Sequence, residues 1–136
     1  MKLKIILLSI CFPLFLGSSC KKESNENINI ANSKWMLEYI EIGNDEYEPP
    51  IDYVLEFSND SLFFMNLSVN TAGGKYMMDE KNKITILSYS PLTEICCESD
   101  FDNKLLNSFM EVQEYNIDGK SLIFSSENLY IGFKMK

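Results

Sequence analysis

Residues 99–113 read SDFDNKLLNSFMEVQ, and this stretch departs from the alternation that governs the rest of the chain. Phe101, Leu105 and Phe109 recur every four residues, joined by Leu106, Met110 and Val112. That spacing draws one apolar stripe along an α-helix, because side chains three and four apart share a face. Ser99 is placed to cap the first turn, and Asp102 three positions later approximates the second half of a capping box. One amphipathic helix over about 99–113 is the expectation.

On either side of it the period falls to two. Trp35, Leu37 and Tyr39 alternate with Lys34 and Glu38 in a strand over 34–43. Residues 43–50 read as a loop, since Pro49 and Pro50 cannot continue a ladder. Residues 53–57 and 62–67 form a hairpin about 58–61. Thr71-Ala72-Gly73-Gly74 reads as a turn before a short strand over 75–78, and 79–83 turn into a strand over 84–87. Asp118-Gly119, between apolar runs at 115–117 and 122–124, is the strongest short hairpin signal in the chain. A last strand covers roughly 129–134. The fold class expected is α+β: an antiparallel β-sheet roll or partly closed barrel of about seven or eight strands, with the single helix packed on it.

The N-terminal end carries a different message. Lys2 and Lys4 precede an apolar run over 5–16 broken only by Ser9 and Pro13. The run is too short for the roughly 20 residues a membrane-spanning helix needs, and the layout is that of a secretory signal. Leu16-Gly17-Ser18-Ser19-Cys20 resembles a lipobox, in which small residues admit the extended backbone to the peptidase and the thiol takes the lipid. Residues 1–19 are therefore expected to be a lipoprotein signal peptide and 20–33 a lipidated Cys20 with a polar, flexible tether. A globular domain is expected over 34–136. Two or three acyl chains hold a protein stably to a membrane where one does not. This places the chain at the cell envelope, lipid-anchored to the outer membrane on its periplasmic or surface face.

Composition removes several functions. The 136 residues carry 20 acidic groups against 12 basic ones, a net charge of −8. Lys2 and Lys4 belong to the leader, so the remainder is more acidic still. Such a surface repels nucleic acid. Histidine and arginine are both absent. Without histidine there is no Ser-His-Asp or Cys-His catalysis, and most zinc sites are excluded. No metal and no cofactor are expected.

Charge is uneven along the chain. Between Lys34 and Lys75 there are eight acids and no base, from Glu38 and Glu41 through to Asp60. A cation site or a face for a basic partner is one reading, and a solvated surface is the other. Asp45, Glu46 and Glu48 lack the loop spacing and following glycine of a calcium hand, which favours solvation.

Of four cysteines, Cys11 leaves with the signal and Cys20 carries lipid. Cys96 and Cys97 remain, adjacent in sequence. They read either as a redox-active vicinal pair, strained by its small ring, or as two thiols with at least one packed as a small hydrophobe.

From about Trp35 onward the chain resembles the META domain, the HslJ-like family of small envelope lipoproteins and secreted domains. The resemblance rests on Trp35-x-Leu37, then Asn70-x-x-x-Gly74-x-Tyr76, then Thr93-x-Ile95-x-Cys97, followed by Asp102, Leu105, Phe109, Tyr115, Gly119 and Leu122 in the family's order. Where the family often has Gly-Cys before the central asparagine, this chain has Ser68-Val69, so no family disulfide to Cys97 is carried over. The retained positions are expected to be structural. Gly74 and Gly119 would serve turns with positive φ, Tyr76 and Tyr115 half-buried sheet faces, and Asn70 a local side-chain-to-backbone bond. The resemblance implies association with envelope stress and resistance to outside compounds, and brings no catalytic set.

Three functions follow as expectations. The first is a non-catalytic, lipid-anchored envelope module that binds a protein or glycan. The second is a small-ligand binder with an apolar cavity lined by Phe57, Phe63, Met65, Met77 and Phe124. The third is redox work by Cys96 and Cys97.

Overall fold

A computed structural model describes residues 30–58, 61–93, 95 and 97–136. Among these residues nine strands and one helix follow in the order β1 (Ser33–Ile42), β2 (Asp45–Tyr47), β3 (Val54–Phe57), β4 (Leu62–Asn66), β5 (Thr71–Met78), β6 (Ile84–Pro91), α1 (Asp100–Glu111), β7 (Glu114–Asp118), β8 (Ser121–Ser126) and β9 (Leu129–Met135). Every named pairing is antiparallel, and the sheet runs β6-β5-β4-β3-β1-β9-β8-β7, with β2 beside the end of β1. The α+β roll expected from the patterning is the fold observed.

The two rims of the sheet, β6 and β7, meet at one point. Lys83 and Glu114 form an antiparallel bridge, flanked by Ile84 N–H to Gln113 O and Tyr115 N–H to Asn82 O, both 2.9 Å. An ion pair between the Lys83 and Glu114 side chains sits over this seam. Beyond it the rims part, which makes the sheet a half-barrel with α1 packed on it.

The helix forms where its period is written. Ser99 is the N-cap, accepting from Asp102 N–H at 3.1 Å, while the Asp102 carboxylate accepts from Ser99 N–H at 2.9 Å, a complete capping box. Leu105, Leu106 and Phe109 face inward and are buried. Phe109 stands edge-on to Phe63 from β4 at 5.1 Å and to Phe124 from β8 at 5.6 Å. Phe124 continues to Phe57 at 6.3 Å and Phe133 at 5.7 Å. Edge-to-face pairs at these separations contribute about 0.5–1.5 kcal/mol each beyond the area they bury. Helix and sheet are joined by this aromatic chain.

Several local expectations are corrected. The folded part begins before residue 34. Ile30 is buried in the core and its carbonyl takes the Ser33 N–H at 3.2 Å, so 30–33 belong to the domain rather than to the tether. Residues 45–47, read as loop, pair with β1 as β2, because the prolines that forbid pairing come only at 49–50. Thr71-Ala72-Gly73-Gly74 is not a turn. It is the first half of β5, paired with β4 on one side and β6 on the other. Gly74 has no positive φ. Its requirement is steric, since a Cβ there would lie 2.0 Å from the Ser88 carbonyl oxygen and 2.7 Å from the Phe63 ring. Gly119 does have the expected left-handed backbone, at φ 56° in the β7–β8 turn.

The residues read as a cavity lining are distributed otherwise. Phe57, Phe63, Met65 and Phe124 are fully buried members of the core, and Met77 points outward with 58% of its surface exposed. Strand alternation accounts for this: Tyr76 takes the inner position on β5, edge-on to Phe57 at 4.9 Å, and its neighbour Met77 must face the other way.

Candidate functional site

Among the described residues, buried and part-buried polar side chains converge at one end, where the β4–β5 loop meets the segment between β6 and α1. Asn70 is the hub. Its Oδ1 accepts from Ile95 N–H at 2.9 Å and from the Thr93 hydroxyl at 3.1 Å, while its Nδ2 donates to Ile95 O at 2.8 Å. The side-chain amide thus engages both polar groups of one distant residue, as a neighbouring strand would. Thr93 in turn accepts from Thr71 N–H at 3.0 Å. Asn70 is buried; its bonds reach across the fold, 25 residues along the chain, and are not local as expected.

Asp102 is the second hub. It lies on the first turn of α1 and is wholly buried. Beyond its part in the capping box, it accepts from Ser68 N–H at 3.1 Å and from the Ser68 hydroxyl. Burial works to raise the Asp102 carboxyl, but hydrogen bonds from Ser68 and Ser99, with Tyr53 beside them, outweigh it and hold the group below its ordinary value. The helix N-terminus adds its own attraction for a negative charge. Tyr53 packs its ring on Phe101 at 5.1 Å. Its hydroxyl is buried in this cluster without a well-aligned hydrogen bond. Burial first, then the Asp102 carboxylate, push its ionisation up to about 12.

The arrangement is chemically conservative. A depressed carboxylate is a weak proton acceptor, and the Asn70 amide and the Asp102 carboxylate are engaged in holding backbone. They present a tip on which Val69, Leu92 and Ile95 are exposed at 46%, 53% and 62%. These exposed apolar side chains stand on segments that the Asn70 and Asp102 hydrogen bonds tie together.

Of the residues singled out in the sequence, Asn70 and Thr93 meet in this cluster. Cys97 is nearby in the chain, exposed and with a left-handed φ of 70°. Tyr76 is core, Gly74 lies within β5, and Gly119 occupies the β7–β8 turn. Cys20 and Cys96 lie outside the described residues. Asp102 was legible as a cap and as a family position, not as a tie to the β4–β5 loop. The missed signal is its place on the helical stripe with Leu105, Leu106 and Phe109, where an acid must be buried and therefore satisfied.

Within the acidic segment Glu41 and Glu46 face each other across β1 and β2, and Asp60 lies outside the described residues. Glu38, Asp45, Glu46, Glu48 and Asp52 are exposed, and Glu56 pairs with Lys34 at 2.8 Å. Among the described residues no group of three or more acids or cysteines is arranged to hold a metal ion. A broad, open cleft of about 1280 Å³ runs beside α1, lined by Asn103, Asn107, Gln113, Asn128, Lys83 and Glu111 among others.

Comparison with known structures finds two proteins of similar fold. One is a DUF4847 family protein from Bacteroides vulgatus, 15% identical, with a TM-score of 0.61 over 77% of this chain and 93% of that one. The other is a protein from Burkholderia xenovorans determined by NMR, 11% identical, with a TM-score of 0.66 over 79% of this chain and 83% of that one. At these identities the likeness is one of fold. A comparison with curated proteins finds no match. A family model matches residues 28–131, nearly the whole of the described domain, and it is that of the META domain; the chain belongs to the META domain family.

Proposed function

We propose that this META-domain protein is a non-catalytic binding module, held at the cell envelope by a lipid on Cys20, that presents its apolar tip to an envelope protein or glycan. The observation that carries the reading is the division of labour at the tip. Asn70 and Asp102 hold the loops from below, while Val69, Leu92 and Ile95 stand above them in solvent. A surface kept rigid before its partner arrives loses less conformational entropy on binding. The lipid anchor and tether supply reach from the membrane, and the acidic surface keeps the module off anionic head groups.

The test is cross-linking in intact cells followed by recovery of the protein, with Cys20→Ala as the unanchored control. One discrete envelope component, recovered with the anchored form and lost when Ile95 and Leu92 are changed to serine, supports the reading. Recovery unchanged by those substitutions removes the tip from the function. Turnover of a substrate abolished by a point substitution would overturn the non-catalytic assignment.

A further inference from the structure

The cleft beside α1 shares no lining residue with the tip. Its helix side carries Asn103 and Asn107, one turn apart and both exposed. Gln113 and Asn128 line it from outside the helix, on backbone that is pinned. Gln113 bonds to Ser125 and Ile84, both at 2.9 Å, and the Asn128 carbonyl accepts from Gly43 N–H at 2.8 Å. Among the described residues the side-chain amides of these four take no hydrogen bond. Beside Asn107, Ser108 lines the cleft with only 6% of its surface exposed, and its hydroxyl has no partner among the described residues. Buried polar groups are normally bonded, and the open side of this hydroxyl is the cleft.

Charge around the cleft is unbalanced. Its two lysines are engaged, Lys83 with Glu114 and Lys104 over the Tyr47 ring at 3.6 Å. Asp100, Glu111 and Glu127 line it without an ion pair among the described residues. Glu111 ends α1, where the helix dipole disfavours an acid, and the last turn holds no base to offset it. The floor is aliphatic, with Ile84, Val112 and Leu129 buried. Among the described residues no aromatic ring lines the cleft, and aromatic rings are the surfaces on which sugars stack.

We propose that this cleft binds an extended, basic peptide segment of a partner protein, with the carboxamides clasping its backbone and Glu111 taking a lysine or arginine side chain. The spacing fits. Four residues of helix advance about 6 Å and two residues of extended chain about 6.6 Å, so Asn103 and Asn107 meet alternate peptide units. A carboxamide offers a donor and an acceptor to one peptide unit, as Asn70 does within this fold at Ile95. Alternate side chains of the segment point down to the aliphatic floor, and the others reach the acids. The net charge of −8 draws a basic segment in and turns an acidic one away.

The test is fluorescence anisotropy of the purified protein with the labelled peptide acetyl-Lys-Val-Lys-Val-Lys-Val-amide, at roughly 20 mM and 200 mM salt. Saturable binding is expected, weaker at the higher salt. Asn103→Ala combined with Asn107→Ala should weaken it about tenfold or more. Alanine is the better helix former, so the circular dichroism of that variant should show no loss of helix. Glu111→Gln should weaken binding about threefold and leave a Gln-Val repeat of the same length unaffected. Leu92→Ser with Ile95→Ser, at the tip, should change nothing. No binding at roughly 1 mM peptide, or binding that ignores both asparagine substitutions, overturns the proposal and leaves the tip reading intact. Loss of binding in the tip variant places the peptide at the tip and overturns it too. Binding of chitohexaose that the asparagine substitutions abolish assigns the cleft to a glycan, which overturns it equally.

Discussion

The carboxylate of Asp102, on the first turn of the helix, accepts the backbone N–H of Ser68, 34 residues earlier in the chain, at 3.1 Å. One side chain thereby caps its own helix and fixes the β4–β5 loop against it. Removing a buried charge's partners, or the charge itself, leaves desolvated groups unpaired, and this sets the first prediction.

Asp102→Asn replaces an acceptor with a donor facing Ser68 and Ser99, and should cost about 3 kcal/mol of stability. The folded carboxyl stays ionised to lower pH than the unfolded one, whose ordinary value is 3.8. The unfolded chain therefore binds more protons as pH falls through that region, and the contribution is present above about 3.8 and lost below the folded value. Urea unfolding between pH 3 and 6 should show the wild type losing stability toward acid more steeply than the variant. Equal slopes would show that Asp102 does not titrate as described.

Tyr53→Phe is the contrasting case. Its hydroxyl is buried without a well-aligned bond, so its loss should change stability at neutral pH by less than about 1 kcal/mol. Because ionisation is pushed up from 10.0 to about 12 in the folded chain, the unfolded chain loses its proton first and wild-type stability falls as pH rises across that window. The phenylalanine variant should lack this part of the alkaline decline.

Asn70→Ala should cost about 2 kcal/mol, since it removes the part-buried bonds to the Ile95 N–H and C=O and to the Thr93 hydroxyl together. Hydrogen exchange at the Ile95 amide should accelerate, whereas the amide of Phe63, deep in β4, should change only with global stability. An unchanged Ile95 rate would remove Asn70 from its place as the hub of the tip.

Two glycines separate strain from space. Gly74→Ala drives a methyl to within 2.0 Å of the Ser88 oxygen, and should cost at least about 3 kcal/mol or prevent folding, as severe overpacking does. Gly119→Ala meets nothing within 4 Å but must hold a φ of 56°, which costs about 1 kcal/mol. Thermal unfolding of the pair gives the order directly.

How far the sequence was legible follows from how local each cause is. The helix and the Asp118-Gly119 hairpin are caused by residues within a few positions of one another, and both were readable. The half-barrel was readable in outline from period-two strands with one helical interruption. Gly73-Gly74 was not, because the same dipeptide serves a turn or a close approach. What decides is the Phe63 ring and a carbonyl on β6, fourteen residues away in the case of Ser88. β2 was missed because three residues carry too little pattern. Asn70 and Thr93 could be singled out from the family's spacing, but their meeting depends on how β5 and β6 pair, and so does the tip they support.

The binding tip is tested most directly by a photo-cross-linking residue placed at position 95, with position 134 on the outer face of β9 as the control, in cells carrying the anchored protein. The prediction is a single adduct of defined mass from position 95, absent from position 134 and lost when Val69 and Leu92 are changed to serine in a protein with unaltered unfolding. Adducts of the same pattern from both positions, or from position 95 in spite of the serine changes, would contradict it.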